Sequence, residues 1–112
     1  MKDGRIENSQ LSSFSHYRNK QDWAASQGRL GNSKAWCSNS NDNRKEYFEI
    51  DLLRVRHVSS MDMQGYRGWI GLYRRSYYVK TFTVNYSYDG VTWYIYKAND
   101  GAELVSIIRT YW

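Results

Sequence analysis

Along residues 77–96, "YYVKTFTVNYSYDGVTWYIY", apolar and polar positions alternate. Phe82, Val84 and Tyr86 fall on every second residue, as do Trp93 and Ile95, and Thr81, Thr83 and Asn85 take the opposite face. Period two is the mark of a strand with one face against a core. Asp89-Gly90 interrupts the pattern with the residues that tolerate the positive φ of a tight turn, so the stretch predicts a β-hairpin. Upstream, "EYFEIDLL" alternates in the same way, with Phe48, Ile50 and Leu52 on one face and Tyr47, Glu49 and Asp51 on the other. "VRHVSSMDMQG" is a weaker strand candidate ending at Gly65. "YRGWIGLYRRS", residues 66–76, leaves the alternation and predicts a glycine-flanked loop carrying Trp69, Ile70 and Leu72. Residues 1–43 are rich in Ser, Asn, Gly and Gln and predict ordered loops with at most a short strand. Beyond the hairpin, a turn at Asn99-Asp100-Gly101 and a last strand over Leu104–Thr110 complete the pattern. No window has the periodicity of an amphipathic helix, and short strands separated by turns predict an all-β sandwich or barrel.

Composition narrows this picture. A chain of 112 residues is one domain with enough length for a core. With 17% aromatic and 24% charged residues it is not a disordered segment. The net charge of +5 and pI near 9.4 imply attraction to acidic partners: phospholipid headgroups, sulfated glycans or nucleic acid. No apolar run reaches membrane-spanning length. Met1 is followed by "KDGRIENSQ" where an export signal would be apolar, so none is expected in this chain.

Candidate chemistry is sparse. Cys37 is the single cysteine, which excludes an internal disulfide, and no histidine stands near it at metal-ligand spacing; it reads as a buried, inert thiol. His16 and His57 have no acids or cysteines at catalytic or metal spacing. Glu49 and Asp51 share a strand face, but side-by-side carboxylates without a cleft do not make a glycosidase. With no nucleophile, acid–base pair or metal set, no enzyme and no cofactor is expected. Asn85-Tyr86-Ser87 is an N-glycosylation sequon on the polar face of the predicted hairpin, usable only on export.

Five pieces, in order, carry a resemblance: "NSQLSSFS", "GRLGNSKAWC", "EYFEIDLL", "MQG" and "YYVKTFTVNYSYDGVTWYIY". Together they resemble the discoidin family, the coagulation factor V/VIII type C domains, over about residues 5–97 of a single domain 1–112. The resemblance implies an antiparallel β-sandwich of jelly-roll, galactose-binding-like type that is not catalytic. It further implies a module of a secreted or cell-surface protein that binds phospholipid, carbohydrate or protein through loops at one end. Family domains usually run on through more strands to a C-terminal cysteine and open with another. By that comparison the domain is expected to be truncated after about Lys97, with sheet edges and core aromatics left open. In complete relatives the cysteine of an "AWC" segment can pair with one near the domain's end, so Cys37 reads as an orphan.

In the family two loop spikes make much of the ligand contact. They map here to "FSHYRNKQDW", residues 14–23, with Tyr17, Arg18 and Lys20, and to "YRGWIGLYRRSYY", residues 66–78, with Tyr66, Arg67, Trp69, Ile70, Leu72, Arg74 and Arg75. Apolar tips beside cations suit anionic phospholipid at a membrane interface. An aromatic platform suits a sugar equally. Trp69 or Leu72 folding back to plug the sandwich is the structural alternative. Trp36, Phe48, Ile50, Phe82, Val84 and Trp93 are assigned to the core. The rival functions are a nucleic-acid-binding domain stacking bases on its aromatics, and a fragment with no function of its own. No basic strand face, RNP sequence or zinc knuckle supports the former.

Overall fold

The computed structural model describes residues 5–40, 45–58 and 61–97. The turn and last strand expected over 99–110 lie outside the described residues. Within them every regular element is a strand or a single 3-10 turn, and the strands form three separate antiparallel pairs.

The first pair joins β1 (Leu11–Ser13) to β2 (Phe48–Ile50), with Leu11 opposite Ile50 and Ser13 opposite Phe48. Hydrogen bonds extend the ladder beyond both strand ends, from Phe14 N to Tyr47 O at 3.2 Å and from Asp51 N to Gln10 O at 2.8 Å. Between these strands the chain runs through 3-10 turns at Tyr17–Asn19, Gln21–Trp23 and Ala25–Gln27. The last of these packs on β1, and Leu11, Ala24 and Ala25 are the buried apolar side chains among the described residues. Trp36 packs on Phe48 with ring centroids 5.4 Å apart and donates its indole N–H to Ser15 O at 2.9 Å, which satisfies the polar edge of a half-buried ring.

β3 (Tyr66–Ile70) and β4 (Tyr73–Tyr77) form the longest ladder, and the expected loop 66–76 is therefore a β-hairpin. Two residues, Gly71 and Leu72, make its turn. Positive φ at the first turn position alone, +62° at Gly71, is the pattern of a II′ turn, which matches the twist of the flanking strands. The glycines that looked like loop punctuation are a turn residue and a strand residue. Gly68 sits under the Tyr66 ring, and a Cβ there would lie 2.7 Å from Tyr66 Cζ.

The third pair, β5 (Asn85–Tyr86) with β6 (Tyr94–Ile95), is shorter than the expected 77–96 hairpin. Tyr77 belongs to β4, and Asp89-Gly90 is not a tight two-residue turn. Only Gly90 has positive φ (+76°), and residues 87–93 form a wider loop gathered around Asp89. Its Oδ1 accepts the N–H groups of Val91 (2.8 Å) and Thr92 (2.9 Å) and the Ser87 hydroxyl (3.0 Å). These donors, the backbone amides first, hold the Asp89 carboxyl below the usual aspartate range.

The core assignment also changes. Phe82 and Val84 are half-buried while Thr81, Thr83 and Asn85 are exposed, so the alternation holds even where no strand forms. Ile50 and Trp93 remain 37% and 45% exposed, because no second sheet covers them among the described residues. After β2 the Asp51 carboxylate accepts Leu53 N–H at 2.7 Å and Leu53 takes φ +64°. The chain turns there, and 55–58 and 61–65 run without strand pairing, so the "VRHVSSMDMQG" strand is absent from the described residues.

Candidate functional site

The first spike, residues 14–23, is built from loops whose backbone groups are satisfied across the chain. Tyr17 N donates to Cys37 O at 2.8 Å, and Cys37 N donates to Trp23 O at 3.2 Å. Arg18 and Asn19 occupy left-handed backbone (φ 49° and 55°), with Arg18 N donating to Asn39 Oδ1 at 3.0 Å. Ser15 is the junction: its hydroxyl donates to both Glu46 oxygens at 2.7 and 2.8 Å and accepts Asn39 N–H at 3.0 Å. Tyr17, Arg18 and Lys20 are all exposed on this spike. The Arg18 guanidinium lies 5.2 Å from the Tyr17 ring centroid, in cation–π range.

The second spike is the β3–β4 hairpin. Strand alternation puts Arg67, Trp69, Arg74 and Ser76 on one face, with Trp69 directly opposite Arg74. The other face carries Tyr66, Ile70, Tyr73, Arg75 and Tyr77, with the Arg75 guanidinium 5.3 Å from the Tyr73 ring centroid. Trp69 is 68% exposed and Leu72, at the turn, 89%. Neither folds back over the core.

Trp23 brings the two spikes together. Its ring meets Tyr66 at 5.0 Å and Tyr77 at 6.4 Å, both edge to face, and Tyr17 at 6.4 Å. Tyr66 and Tyr77 stack on each other at 6.3 Å with planes 16° apart, so the base of the hairpin is clamped to the first spike. Tyr66 thus stands at the root of the hairpin rather than at its tip. Alongside, Lys34 Nζ reaches Asp22 at 2.9 Å. That hydrogen bond, then the Asp22 charge, raises the Lys34 pKa above its ordinary value, with a smaller contribution from Tyr66. Both side chains are well exposed, so the pair orients the loop more than it stabilises it.

Trp23, Ser15, Asn39 and Glu46 carry no local signal in the sequence that would mark them as the residues joining these segments. Their partners stand dozens of residues away in the chain, and no local pattern encodes such contacts. Cys37 is half-buried, and burial, followed by the nearby Glu46 charge, pushes its thiol pKa up, as fits an unreactive thiol. His16 is half-buried, and its Nε2 has no hydrogen-bond partner among the described residues; His57 is exposed. Among the described residues no three His, Cys, Asp or Glu side chains are grouped to hold a metal ion, and no helix is long and apolar enough to cross a membrane.

Comparison with known proteins agrees with this architecture. Human coagulation factor V is 32% identical over 102 residues, covering 87% of this chain but 4% of that protein. Human neuropilin-2 is 33% identical over 101 residues, covering 87% of the chain and 10% of that protein. Zebrafish (Danio rerio) neuropilin-1a is 32% identical over 97 residues, again covering 87% and 10%. The chain thus corresponds to a small part of each of these relatives. The profile of the F5/8 type C domain matches residues 8–108, extending beyond Lys97. The chain belongs to the F5/8 type C, or discoidin, domain family.

Proposed function

We propose that this chain is an extracellular or cell-surface binding module, without catalytic activity, that meets an anionic phospholipid surface through the tip of its β3–β4 hairpin. The three strand pairs are read as parts of a β-sandwich of jelly-roll type, in keeping with the family.

One observation carries the reading. Leu72, the most exposed large apolar side chain among the described residues, lies at a hairpin turn with Trp69 on the adjoining strand, and Arg74 and Arg75 follow within one strand. Exposed apolar side chains grouped at one tip and rimmed by charged residues are the arrangement of an interaction surface. A leucine and an indole can enter the headgroup boundary while guanidinium groups at the same depth meet phosphate and carboxylate. Each cation at such a surface contributes about 1 kcal/mol. Tyr17, Arg18 and Lys20 would extend the contact, since Trp23 ties their loop to the hairpin's base.

Sedimentation with vesicles tests this. Binding is expected to phosphatidylcholine vesicles containing phosphatidylserine and not to phosphatidylcholine alone. Trp69→Ala with Leu72→Ala should weaken binding tenfold or more. Arg74→Ala with Arg75→Ala should remove about 2 kcal/mol, roughly 30-fold. Full vesicle affinity in the Trp69/Leu72 variant would rule out the hairpin tip as the contact. Binding of sulfated glycan or single-stranded nucleic acid in place of vesicles would move the ligand to that class.

A further inference from the structure

We infer that Asn85 is an N-glycan acceptor, and that its glycan stands on the face of the β5–β6 ribbon opposite the tyrosine stack. This rests on the extracellular reading, because the modification requires export. Of the chain's asparagines, Asn85 alone is followed two positions on by Ser or Thr, with tyrosine between and no proline to block transfer.

The surroundings suit an acceptor. Asn85 is exposed, and its side-chain amide has no hydrogen-bond partner among the described residues. It stands in a two-residue strand, where its opposite residue is Ile95. Side chains alternate across the ribbon, so Asn85 and Ile95 share one face and Tyr86 and Tyr94 the other. The tyrosines stack at 5.5 Å, and Tyr88 meets Tyr86 edge to face at 5.9 Å. A glycan on Asn85 therefore leaves the aromatic face open and covers Ile95, which is 46% exposed on a ribbon that has no third strand among the described residues.

In the transfer, Asn85 Nδ2 forms a bond to the anomeric carbon of a lipid-diphosphate-linked oligosaccharide. The bond from that carbon to the diphosphate oxygen breaks, the lipid diphosphate departs with the bonding pair, and the amide proton passes to a base on the transferase. The transferase must also engage the Ser87 hydroxyl. In the folded loop that hydroxyl accepts Gly90 N–H at 2.8 Å and donates to Asp89 Oδ1 at 3.0 Å, so transfer comes before the 87–93 loop closes.

The test is translation of the full chain behind a cleavable signal peptide in the presence of endoplasmic-reticulum microsomes, followed by endoglycosidase. Sugar transfer is read on the enclosed chain whatever its later folding. One endoglycosidase-sensitive shift is expected, absent in Asn85→Gln, reduced or absent in Ser87→Ala and retained in Ser87→Thr. A protected wild-type chain without the shift, or a shift that persists in Asn85→Gln, would overturn the assignment. Vesicle binding is a separate measurement, so a failed membrane reading and a failed acceptor assignment would be told apart.

Discussion

Trp23 and Tyr66 meet edge to face with ring centroids 5.0 Å apart, although 42 residues of chain separate their last and first spikes' ends. Through this contact, and through Tyr77 behind it, the irregular N-terminal loops hold the longest hairpin among the described residues. Trp23→Ala should detach the hairpin's base. Ring pairs contribute about 1 kcal/mol each beyond burial, so the loss should be on the order of 2–3 kcal/mol. Hydrogen exchange should then quicken at the amides of 66–70 and 73–77 while the Leu11–Ile50 pairing keeps its protection. Unchanged exchange in β3 and β4 would mean the clamp is idle.

The hairpin's two glycines should respond differently to alanine. At Gly71 a Cβ meets nothing within 4 Å, so the cost is the positive φ alone, about 1–2 kcal/mol. Asparagine, which tolerates that region, should restore part of it. At Gly68 the added methyl must displace the Tyr66 ring, which Trp23 and Tyr77 hold in place. Gly68→Ala should therefore change the near-ultraviolet circular dichroism of the aromatic cluster, and Gly71→Ala should leave it largely as it is.

Asp89→Ala removes the acceptor around which the 87–93 loop is gathered, and the amides of Val91 and Thr92 should lose their exchange protection. The folded state holds this carboxyl below its ordinary value of 3.8. Its stabilising contribution is thus complete above that value and is lost as pH falls through the lowered one. The two amide resonances followed through an acid titration should shift together in that range in the wild type. They should not do so in Asp89→Asn.

Cys37 should be slow to alkylate. Burial and the Glu46 charge raise its pKa, so at pH 8 iodoacetamide should react severalfold more slowly than with the unfolded chain. Glu46→Gln should recover a smaller part of the rate than unfolding does, because burial is the larger cause. The linked stability is present below the thiol's unfolded pKa and is lost as pH rises through the raised folded one. A reaction as fast as that of the unfolded chain would show the thiol to be open.

The sequence by itself determined the chemistry of the surface and the strand-forming tendency of its segments. Alternation at Phe48–Ile50 and at Phe82–Asn85 depends on neighbours two residues apart, so it was legible, as were the family and the cations near Trp69. Tertiary structure decided which strands pair. Residues 66–76 read as a loop because glycines and arginines break the apolar period, yet their backbone closes a ladder across a Gly71-Leu72 turn. Asp89-Gly90 read as a tight turn, but the Asp89 side chain accepts amides two and three residues ahead and opens the loop instead. The union of the two spikes at Trp23 was likewise beyond local reading. Aromatic contact between distant segments depends on where the chain returns in space, and a period of two carries no information about that return.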